Sequence, residues 1–464
     1  MKKYILIILC CLTSFPLWSY NVNMIVEHYS VDQGLPNNTV NCTLKDRDGF
    51  IWFGTWYGLC CFDGVKFKTF NKQEHDSDVP PRKIQRIVED KNGYIWVKTI
   101  DRKLYVFNKV TECFHAVYDD MKNYSENIQV IKLQNTAEGD VLLLTKDKNL
   151  LLAGVDEKGQ VTIKILFDSR DEINKHDYTL KHHVLCETEE YISWIGTDYK
   201  VSAVHKGAEL ASRPADFITS KINSGDKDSF TSFFEDGRKV WVGDRAGIFY
   251  SIDVRTGLVN RYVLSEIKGA ISNLLVTPAG YVYLSVAGQG TYEYDLAERR
   301  LQKINTEMND AMVTHAFIDQ YDKIWFHENE KALIYYDPLN HTAKRFPFTM
   351  FGKITTLYSE DAGERGLFFL SPAGEAWLFD REHAEMVYIN KLKQLSNDRA
   401  NQQFYHLMLD NDGVLWLSSA DEGVYCMNFP KKQFNLLSLS PQSAGQENYT
   451  ICLLYTSPSP RDRG

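Results

Sequence analysis

Several features are scarce in this sequence, and each scarcity argues against a class of protein. Proline is sparse, at 13 of 464 residues, so a disordered or proline-rich chain is not expected. After the first twenty residues, no segment approaches the ~20 apolar residues that a membrane-spanning helix needs. The formal net charge is −9 without a run of Lys and Arg, which argues against a nucleic-acid-binding protein.

Cysteine is also rare, and its spacing is irregular. The cysteines between the two chain ends are Cys42, Cys60, Cys61, Cys113, Cys186 and Cys426. None lies in a CxxC pair or another metal-site spacing, and the histidines show no metal or catalytic-triad spacing either. We therefore expect neither a metal nor a cofactor, and we expect Cys60, Cys61 and Cys426 to pack as small core residues.

The two ends of the chain differ from the rest. Residues 1–20 have a basic start at Lys2 and Lys3, then an apolar segment, then the small residue Ser19, which is typical of a secretory signal peptide. We therefore expect an exported, periplasmic protein. Residues 452–464 include Ser-Pro-Ser-Pro and resemble translated sequencing-adapter DNA, so we expect the natural sequence to end near Ile451.

Aromatic residues are abundant, at 13% of the chain, and they recur in a repeated motif. The segment DRDGFIWFGT (46–55) returns as DKNGYIWVKT (90–99), as DNDGVLWLSS (410–419) and in more divergent copies. Nine copies lie 42–52 residues apart when aligned on their central bulky residue. These residues, which we call the anchors, are Trp52, Trp96, Leu142, Trp194, Trp241, Tyr283, Trp325, Phe369 and Trp416.

Each copy of the motif lies within a set of short apolar segments. A strand precedes it, a second half such as GLCCFD follows, and many copies end in a fourth strand such as KFKTFN. Four short strands in each repeat predict an all-β protein with the β-propeller fold. The Asp-x-x-Gly segment supplies a turn, and the anchor is expected to pack one blade against its neighbour.

Nine blades exceed the four to eight that a propeller ring typically contains. We therefore expect a first ring of about seven blades over residues 24–348 and the first two blades of a second ring over 349–451. The strand at 25–30 has the position of a fourth strand, so it should close one of the rings, although the sequence does not indicate which. Two blades without a complete ring would expose unpaired strand edges.

The segment 27–70 resembles the two-component regulator propeller repeats of Bacteroides-type hybrid two-component sensors. The likeness is carried by DQGLPNNTV, DRDGFIWFGT, GL and FDG, and it extends with less specificity over most of 24–436. In such proteins, periplasmic propellers precede a membrane helix, a histidine kinase, a receiver and a DNA-binding domain. Trp56 and Tyr57 stand where the family usually has polar residues.

The resemblance implies a function but not a ligand. It implies an extracytoplasmic region that senses breakdown products of polysaccharides and controls transcription of the genes that use them. It also implies a homodimer formed through the full-length protein, anchored in the inner membrane by a downstream helix. The kinase and DNA-binding parts are not found in this sequence, so they are implied by the resemblance only.

A binding surface needs exposed aromatic rings and polar groups, because sugar faces stack on rings and hydroxyl or carboxylate groups bond to side chains such as Arg. We expect this surface on the face that collects the loops between second and third strands and the loops between blades. The candidate ligand-binding residues there are Trp56, Tyr57, Arg102, Tyr199, Arg245, Gln289 and His327. The adjacent pair Trp56 and Tyr57 is the strongest candidate.

Two other functions stay open from the sequence. One is a free-standing periplasmic propeller that binds or scaffolds glycans, and the other is a carbohydrate-active enzyme. The sialidase and quinone-dehydrogenase motifs of other propellers are absent, and no catalytic residue can be assigned. The turns at Asp46 and Asp48, or at Asp410 and Asp412, offer too few oxygens to surround calcium.

Overall fold

The computed structural model describes residues 25–70, 80–122, 129–146, 149–167, 180–188, 190–196, 201–207, 215–216, 230–304, 313–328, 331–351, 358–361, 366–371, 374–391 and 404–428. Within these ranges the chain forms antiparallel four-stranded sheets, which we number as blades 1 to 9. The strand β1 (Ile25–Tyr29) comes first and belongs to blade 9.

The first five blades follow in chain order. Blade 1 contains β2 (Val40–Lys45), β3 (Ile51–Thr55), β4 (Gly58–Phe62) and β5 (Phe67–Phe70). Blade 2 contains β6 (Ile84–Glu89), β7 (Ile95–Thr99), β8 (Leu104–Asn108) and β9 (Cys113–Ala116). Blade 3 contains β10 (Val130–Asn135), β11 (Val141–Thr145), β12 (Leu150–Val155) and β13 (Val161–Phe167). Blade 4 contains β14 (Leu180–Glu187), β15 (Tyr191–Gly196), β16 (Val201–His205) and β17 (Ala215–Asp216). Blade 5 contains β18 (Phe230–Glu235), β19 (Lys239–Asp244), β20 (Ile248–Asp253) and β21 (Leu258–Val263).

The remaining four blades complete the described chain. Blade 6 contains β22 (Ile271–Val276), β23 (Tyr281–Val286), β24 (Gly290–Asp295) and β25 (Arg300–Lys303). Blade 7 contains β26 (Val313–Ile318), β27 (Ile324–Glu328), β28 (Ala332–Asp337) and β29 (Thr342–Pro347). Blade 8 contains β30 (Tyr358–Asp361), β31 (Leu367–Leu370), β32 (Glu375–Asp380) and β33 (Glu385–Lys391). Blade 9 contains β34 (Phe404–Leu409), β35 (Val414–Ser419), β36 (Val424–Asn428) and β1. One short helix, α1 (Tyr118–Met121), and the 3-10 turns Val31–Gln33 and Phe348–Phe351 lie between strands.

Burial explains why the middle strands are almost continuously apolar. Every residue of β3, β4 and β7 is buried, because these strands are covered on both faces by neighbouring blades. The fourth strands are more exposed; in β5, for example, only Phe70 is buried. The repeat of four strands, with the motif IWFGT as the second strand, is as the sequence predicts.

The turn between the first and second strands is built around one aspartate. In blade 1, the Oδ1 atom of Asp46 accepts the backbone N–H groups of Asp48 (3.0 Å) and Phe50 (2.9 Å). Its Oδ2 atom accepts the indole N–H of Trp52 at 2.7 Å. The indole can therefore be buried without losing a hydrogen bond. The same bond recurs in the pairs Trp96–Asp90, Trp241–Asp236, Trp325–Asp319 and Trp416–Asp410.

Blades without a tryptophan anchor use other residues at this turn. Thr277 and Thr136 replace the aspartate in blades 6 and 3, where the anchors are Tyr283 and Leu142. The hydroxyl group of Tyr283 instead donates to Glu293 at 2.9 Å. Phe369, the anchor of blade 8, is fully buried and needs no polar partner. In blade 4, β15 contains Trp194, whose side chain lies outside the described residues.

Neighbouring blades are joined by buried apolar clusters. Each cluster draws its residues mainly from two consecutive blades, and together the clusters cover all nine junctions. At the junction of blades 1 and 2, Trp52 contacts Phe107 with ring centroids 5.5 Å apart. Cys60, Cys61 and Cys426 are buried in two of these clusters.

The ninth junction closes the ring. Blade 9 contributes Trp416 and Val424 to a cluster that also contains Val40 and Phe53 of blade 1. Strand β1 completes blade 9 as its fourth strand, with Val26 opposite Met427 in β36. Blade 9 therefore takes its fourth strand from the start of the described chain and its first three strands from the end, so the ring closes without a gap.

The β-propeller class is confirmed, but the structure differs from the expected division of the blades. Instead of seven blades over 24–348 and two orphan blades over 349–451, the described chain up to residue 428 forms a single ring of nine. The expectation followed the usual ring size of four to eight blades. Pairing of β1 with β36 decides otherwise, because it joins the apparent orphan blades to blade 1.

The strand order gives the ring two different faces. The turns that join first to second strands and third to fourth strands lie at one end of each blade, which we call the turn face. The hairpin tips between second and third strands, and the connections between blades, lie at the other end, the tip face. First strands of neighbouring blades contact one another, as β2 contacts both β6 and β34, and so line the interior.

Candidate ligand-binding surface

Trp56 and Tyr57 form the hairpin tip of blade 1 on the tip face. Their side chains are 41% and 64% exposed, among the more exposed aromatic rings of the described residues. The hydroxyl group of Thr55 accepts the N–H of Tyr57 at 3.1 Å and donates to the carbonyl of Gly58 at 2.8 Å. Gly58 has φ +132°, a conformation that glycine adopts most easily, so the tight turn presents both rings to solvent.

Backbone hydrogen bonds fix this tip to its surroundings. The N–H of Trp56 donates to the carbonyl of Thr39 at 3.2 Å, and its carbonyl accepts the N–H of Lys83 at 2.9 Å. The carbonyl of Lys83 in turn accepts the N–H of Ile100 at 2.9 Å, in the hairpin tip of blade 2. The backbone thus links blade 1 to blade 2 across the tip face without using side chains, which stay available for contact.

A cation and further exposed groups lie beside the rings. The ammonium group of Lys83 lies 5.1 Å from the centroid of the Trp56 ring, a cation–π contact. Ile100 is 44% exposed, and Arg102 is partly exposed in the same tip of blade 2. We call Trp56, Tyr57, Lys83, Ile100 and Arg102 the aromatic surface. Lys83 and Ile100 are not among the candidates predicted from the sequence, which are aromatic and polar residues of the hairpin tips: Lys83 lies in a connection between blades, and Ile100 is aliphatic.

The other predicted binding residues are more dispersed. Arg245 is exposed in the tip of blade 5, in a turn held by the carboxylate of Asp244. Gln289, in the tip of blade 6, uses its side chain within the fold: it accepts the N–H of Lys268 at 2.6 Å and donates to the carbonyl of Glu266 at 3.0 Å. The structure therefore brings Trp56, Tyr57 and Arg102 to adjacent blades but places Arg245 and Gln289 on blades 5 and 6, each four blades away from blade 1 around the ring.

His327 and Tyr199 complete the predicted set. His327 lies within β27 instead of at a tip, and its ring contacts Phe348 with centroids 5.0 Å apart. Burial lowers its pKa, and the neighbouring His315 adds to the effect. The partly buried ring of His327, within a strand, is less accessible than a residue at a hairpin tip, where the sequence predicts it to lie. Tyr199 lies outside the described residues.

A second concave surface lies on the turn face, between blades 1 and 2. It is a groove of about 860 Å³, in the size range of ligand pockets. Phe50, which is 42% exposed, and Tyr94 supply aromatic groups, and Arg47, Lys68 and Glu112 are among the charged groups. The sequence did not predict this groove, because it is formed by turns of two blades that are well separated along the chain.

The polar groups around this groove are already paired. The ammonium group of Lys109 lies 3.0 Å from Asp46, 2.7 Å from Asp48 and 2.8 Å from Glu89. Burial disfavours its charge, but the hydrogen bonds to these three carboxylates outweigh burial and raise the pKa of Lys109. Asp46, Asp48 and Glu89 are close enough together to suggest a metal site, yet the ammonium group already lies among them. The cluster is an ion bridge between blades.

The same bridge recurs at other junctions of the turn face. Lys206 of blade 4 contacts Glu138 of blade 3 at 3.2 Å and Glu187 of its own blade at 2.5 Å. Arg381 of blade 8 likewise contacts Asp319 of blade 7 and, at 2.7 Å, Asp361. In each case the cation directly follows the third strand and reaches back to the preceding blade. These side chains link neighbouring blades at three junctions of this face.

No helix among the described residues is both long enough and apolar enough to cross a membrane.

Comparison with known proteins finds the propeller repeat in one part of the chain. Residues 34–57 match the family model described as "Two component regulator propeller", and the match ends at Trp56 and Tyr57. The predicted resemblance to two-component regulator propeller repeats is confirmed over these residues. No curated protein matches the chain.

Solved structures with likeness to this chain include two extracellular domains and a propeller. The extracellular domain of BT4673 from B. thetaiotaomicron, described as a hybrid two component system, is 13% identical with a TM-score of 0.35, over 86% of this chain and 66% of that one. The extracellular domain of BT3049, described in the same way and from the same organism, is 14% identical with a TM-score of 0.34, over 86% and 58%. The Dos1 propeller is 12% identical with a TM-score of 0.45, over 87% and 93%. The chain thus spans less than two thirds of the length of the two extracellular domains.

Proposed function

We propose that this chain is the extracytoplasmic ligand-sensing region of a hybrid two-component regulator and that it binds oligosaccharides derived from glycans. The observation that carries the proposal is the exposed pair Trp56 and Tyr57, which ends the segment that matches the two-component regulator propeller. Two adjacent rings on a rigid hairpin are suited to stacking against the C–H faces of sugars.

The polar groups beside the two rings favour an oligosaccharide as the ligand and disfavour a flat apolar partner. Lys83, beside Trp56, and Arg102, in the tip of blade 2, supply hydrogen-bond donors, and donors of this kind bond to sugar hydroxyl or carboxylate groups. The tip is fixed by backbone bonds, so little conformational entropy is lost when a ligand orders the rings. The aromatic surface is thus preorganised for binding.

Signalling requires that the ligand favour one of two states of the whole regulator. A ligand shifts such an equilibrium only by its difference in affinity for the two states. In the proposed regulator the chain lies in the periplasm and belongs to a homodimer anchored in the inner membrane, and ligand binding alters the relation between subunits. Kinase activity and control of polysaccharide-utilisation genes belong to other domains of such a protein.

The test is binding of oligosaccharides to the purified chain, measured by isothermal titration calorimetry. The panel contains short oligosaccharides from pectin, arabinan, xylan, mannan and heparin. We expect at least one to bind, and we expect Trp56→Ala or Tyr57→Ala to weaken that binding about tenfold or more, which corresponds to about 1.4 kcal/mol.

The matched control is Tyr388→Ala, which removes a 48% exposed ring from the fourth strand of blade 8. This variant should bind as the unmodified chain does. Binding that is unaffected by both Trp56→Ala and Tyr57→Ala, or a panel in which nothing binds, would contradict the proposal.

A further inference from the structure

A small cavity in the interior of the ring combines polar groups that the fold does not use. It has a volume of about 410 Å³ and is lined by first strands of blades 9, 1, 2 and 3. Its walls include Leu44, Ile87 and Met408. A volume of this order accommodates a small molecule of monosaccharide size. This cavity is separate from the aromatic surface, since no residue is common to the two.

Two polar atoms on its walls have no hydrogen-bond partner within the described residues. Thr43 is only 5% exposed, and its Oγ1 atom makes no hydrogen bond with the described residues. The Nδ1 atom of His406 is also buried and without a hydrogen-bond partner in the described part of the chain. A buried polar atom left unpaired costs about 1–3 kcal/mol, so a bond to a molecule in the cavity would relieve this cost for either atom. Thr43 comes from blade 1 and His406 from blade 9.

The third polar wall is cationic. Arg86 is exposed to the cavity from β6, and among the described residues its guanidinium group forms no ion pair. Burial lowers the pKa of His406, and the positive charge of Arg86 lowers it further. His406 therefore tends to remain neutral, as a hydrogen-bonding group, while Arg86 carries the positive charge.

Neither Glu89 nor Lys98, the other charged residues near the cavity, compensates the positive charge of Arg86. Glu89 also lines the cavity, but its carboxylate is bonded to Lys109 at 2.8 Å and to Arg47 at 3.2 Å. Lys98, close to Arg86, donates to Gln85 at 2.7 Å and to the carbonyl of Ile131 at 2.8 Å, and no acid is among these partners. The interior at blades 1 and 2 is therefore electropositive in a chain whose net charge is negative.

We infer that this interior cavity is a binding site for a small carboxylate that also bears hydroxyl groups, such as a hexuronic acid. The planar guanidinium group of Arg86 pairs with the carboxylate through two parallel hydrogen bonds. Thr43 and His406 bond to hydroxyl groups, and the apolar walls of Leu44, Ile87 and Met408 contact the ring carbons. A neutral sugar can bond to Thr43 and His406 but cannot neutralise Arg86, so the site selects acids.

The test uses three probes with the purified chain: D-galacturonate, D-glucuronate and, as the neutral match, D-galactose. Saturable binding is measured by isothermal titration calorimetry at low salt. We expect at least one uronate to bind with a dissociation constant on the order of 0.1–1 mM and galactose to bind at least tenfold more weakly. Arg86→Gln should abolish uronate binding, and Arg86→Lys should weaken it because the two-point pairing is lost.

Two controls make the result decisive. Arg82→Gln removes the same charge from an exposed position four residues earlier that does not line the cavity, and it should leave binding unchanged. Thr43→Val keeps the volume of the side chain and should weaken binding several-fold. The inference is overturned if neither uronate binds, if galactose binds equally well, or if Arg86→Gln binds as the unmodified chain does. The variants Trp56→Ala and Tyr57→Ala should retain uronate binding, so failure here is distinguishable from failure of the aromatic surface.

Discussion

The two faces of the ring hold neighbouring blades together by different means. On the turn face, charged side chains do this: Lys109, Lys206 and Arg381 each reach a carboxylate of the preceding blade, whereas Asp46 and its counterparts stabilise the turn within their own blade. On the tip face, backbone groups such as those of Trp56 and Lys83 make the links. A face held by its backbone can vary its side chains without loss of structure, which is why the tip face is the better place for ligand recognition.

The largest effect should separate two tryptophans of the same hairpin. Trp52 is 3% exposed and packs on Phe70 and Phe107, whereas Trp56 is 41% exposed. We expect Trp52→Ala to lower the free energy of unfolding by about 3–5 kcal/mol, and Trp56→Ala by less than about 1 kcal/mol. Urea denaturation followed by circular dichroism measures both. Equal losses would mean that the two faces do not differ in this way.

Asp46, at the turn of blade 1, should contribute more to the free energy of unfolding than Thr277, which has the equivalent position in blade 6. Asp46→Ala leaves the Trp52 indole and two backbone N–H groups unpaired and removes one partner of Lys109, so we expect a loss of about 3 kcal/mol. The side-chain hydroxyl of Thr277, at the equivalent turn of blade 6, bonds among the described residues to the backbone of Tyr281. Thr277→Ala should therefore cost only about 1 kcal/mol, and the same denaturation experiment compares them. A similar cost for the two changes would remove the special role of the aspartate.

Much of the fold could be predicted from the sequence because its determinants are local. The repeat fixes the strands and their order, and the six-residue spacing of Asp46 and Trp52, or of Asp90 and Trp96, could have revealed the indole bond. The number of blades in the ring could not be predicted, since it depends on pairing between β1 and β36, which lie at opposite ends of the described chain.

The proposed binding surface is predictable from the sequence only in part. Trp56 and Tyr57 stand out because two large rings at a turn have no packing role of their own. Gln289 and His327 are bonded or packed within the fold, and a single sequence does not reveal such contacts. The interior cavity escaped prediction entirely, because Thr43, Arg86 and His406 come together from three blades.

The contributions of Lys98 and Lys109 to the free energy of unfolding should depend on pH in opposite ways. Burial, with smaller contributions from Arg102 and Arg86, lowers the pKa of Lys98 to about 8. Between about pH 8 and pH 10.5 the unfolded chain therefore binds more protons at Lys98 than the folded chain does, so this residue's contribution to stability rises with pH. We expect the unfolding free energy of the unmodified chain relative to Lys98→Met to rise by about 1–3 kcal/mol over this window.

Lys109 should behave in the opposite way. Because its three carboxylate partners raise its pKa, its contribution is fully present below pH 10.5 and declines only at higher pH. The unmodified chain relative to Lys109→Met should therefore show no rise over the window in which Lys98 acts. Denaturation of all three proteins at closely spaced pH values gives the two curves. Parallel curves would contradict the assigned environments.

The smallest difference is expected within the tip face itself. Gln289→Ala removes two hydrogen bonds to the connection at 266–268 and should cost about 1 kcal/mol. Arg245→Ala removes an exposed side chain and should change stability by less than about 0.5 kcal/mol. Differential scanning calorimetry resolves the two midpoints. A larger loss for Arg245→Ala would show that this tip is not merely an exposed turn.

The closed ring of nine blades is tested most directly by a cross-link between its two ends. Glu27 in β1 lies opposite Cys426 in β36, so Glu27→Cys places a second thiol across the pair. After mild oxidation and trypsin digestion, mass spectrometry should find a disulfide-linked peptide joining residues 27 and 426, which the Glu27→Ser control lacks. If the introduced thiol is found free or joined to another cysteine while Cys426 stays reduced, β1 closes a different blade and the single ring is refuted.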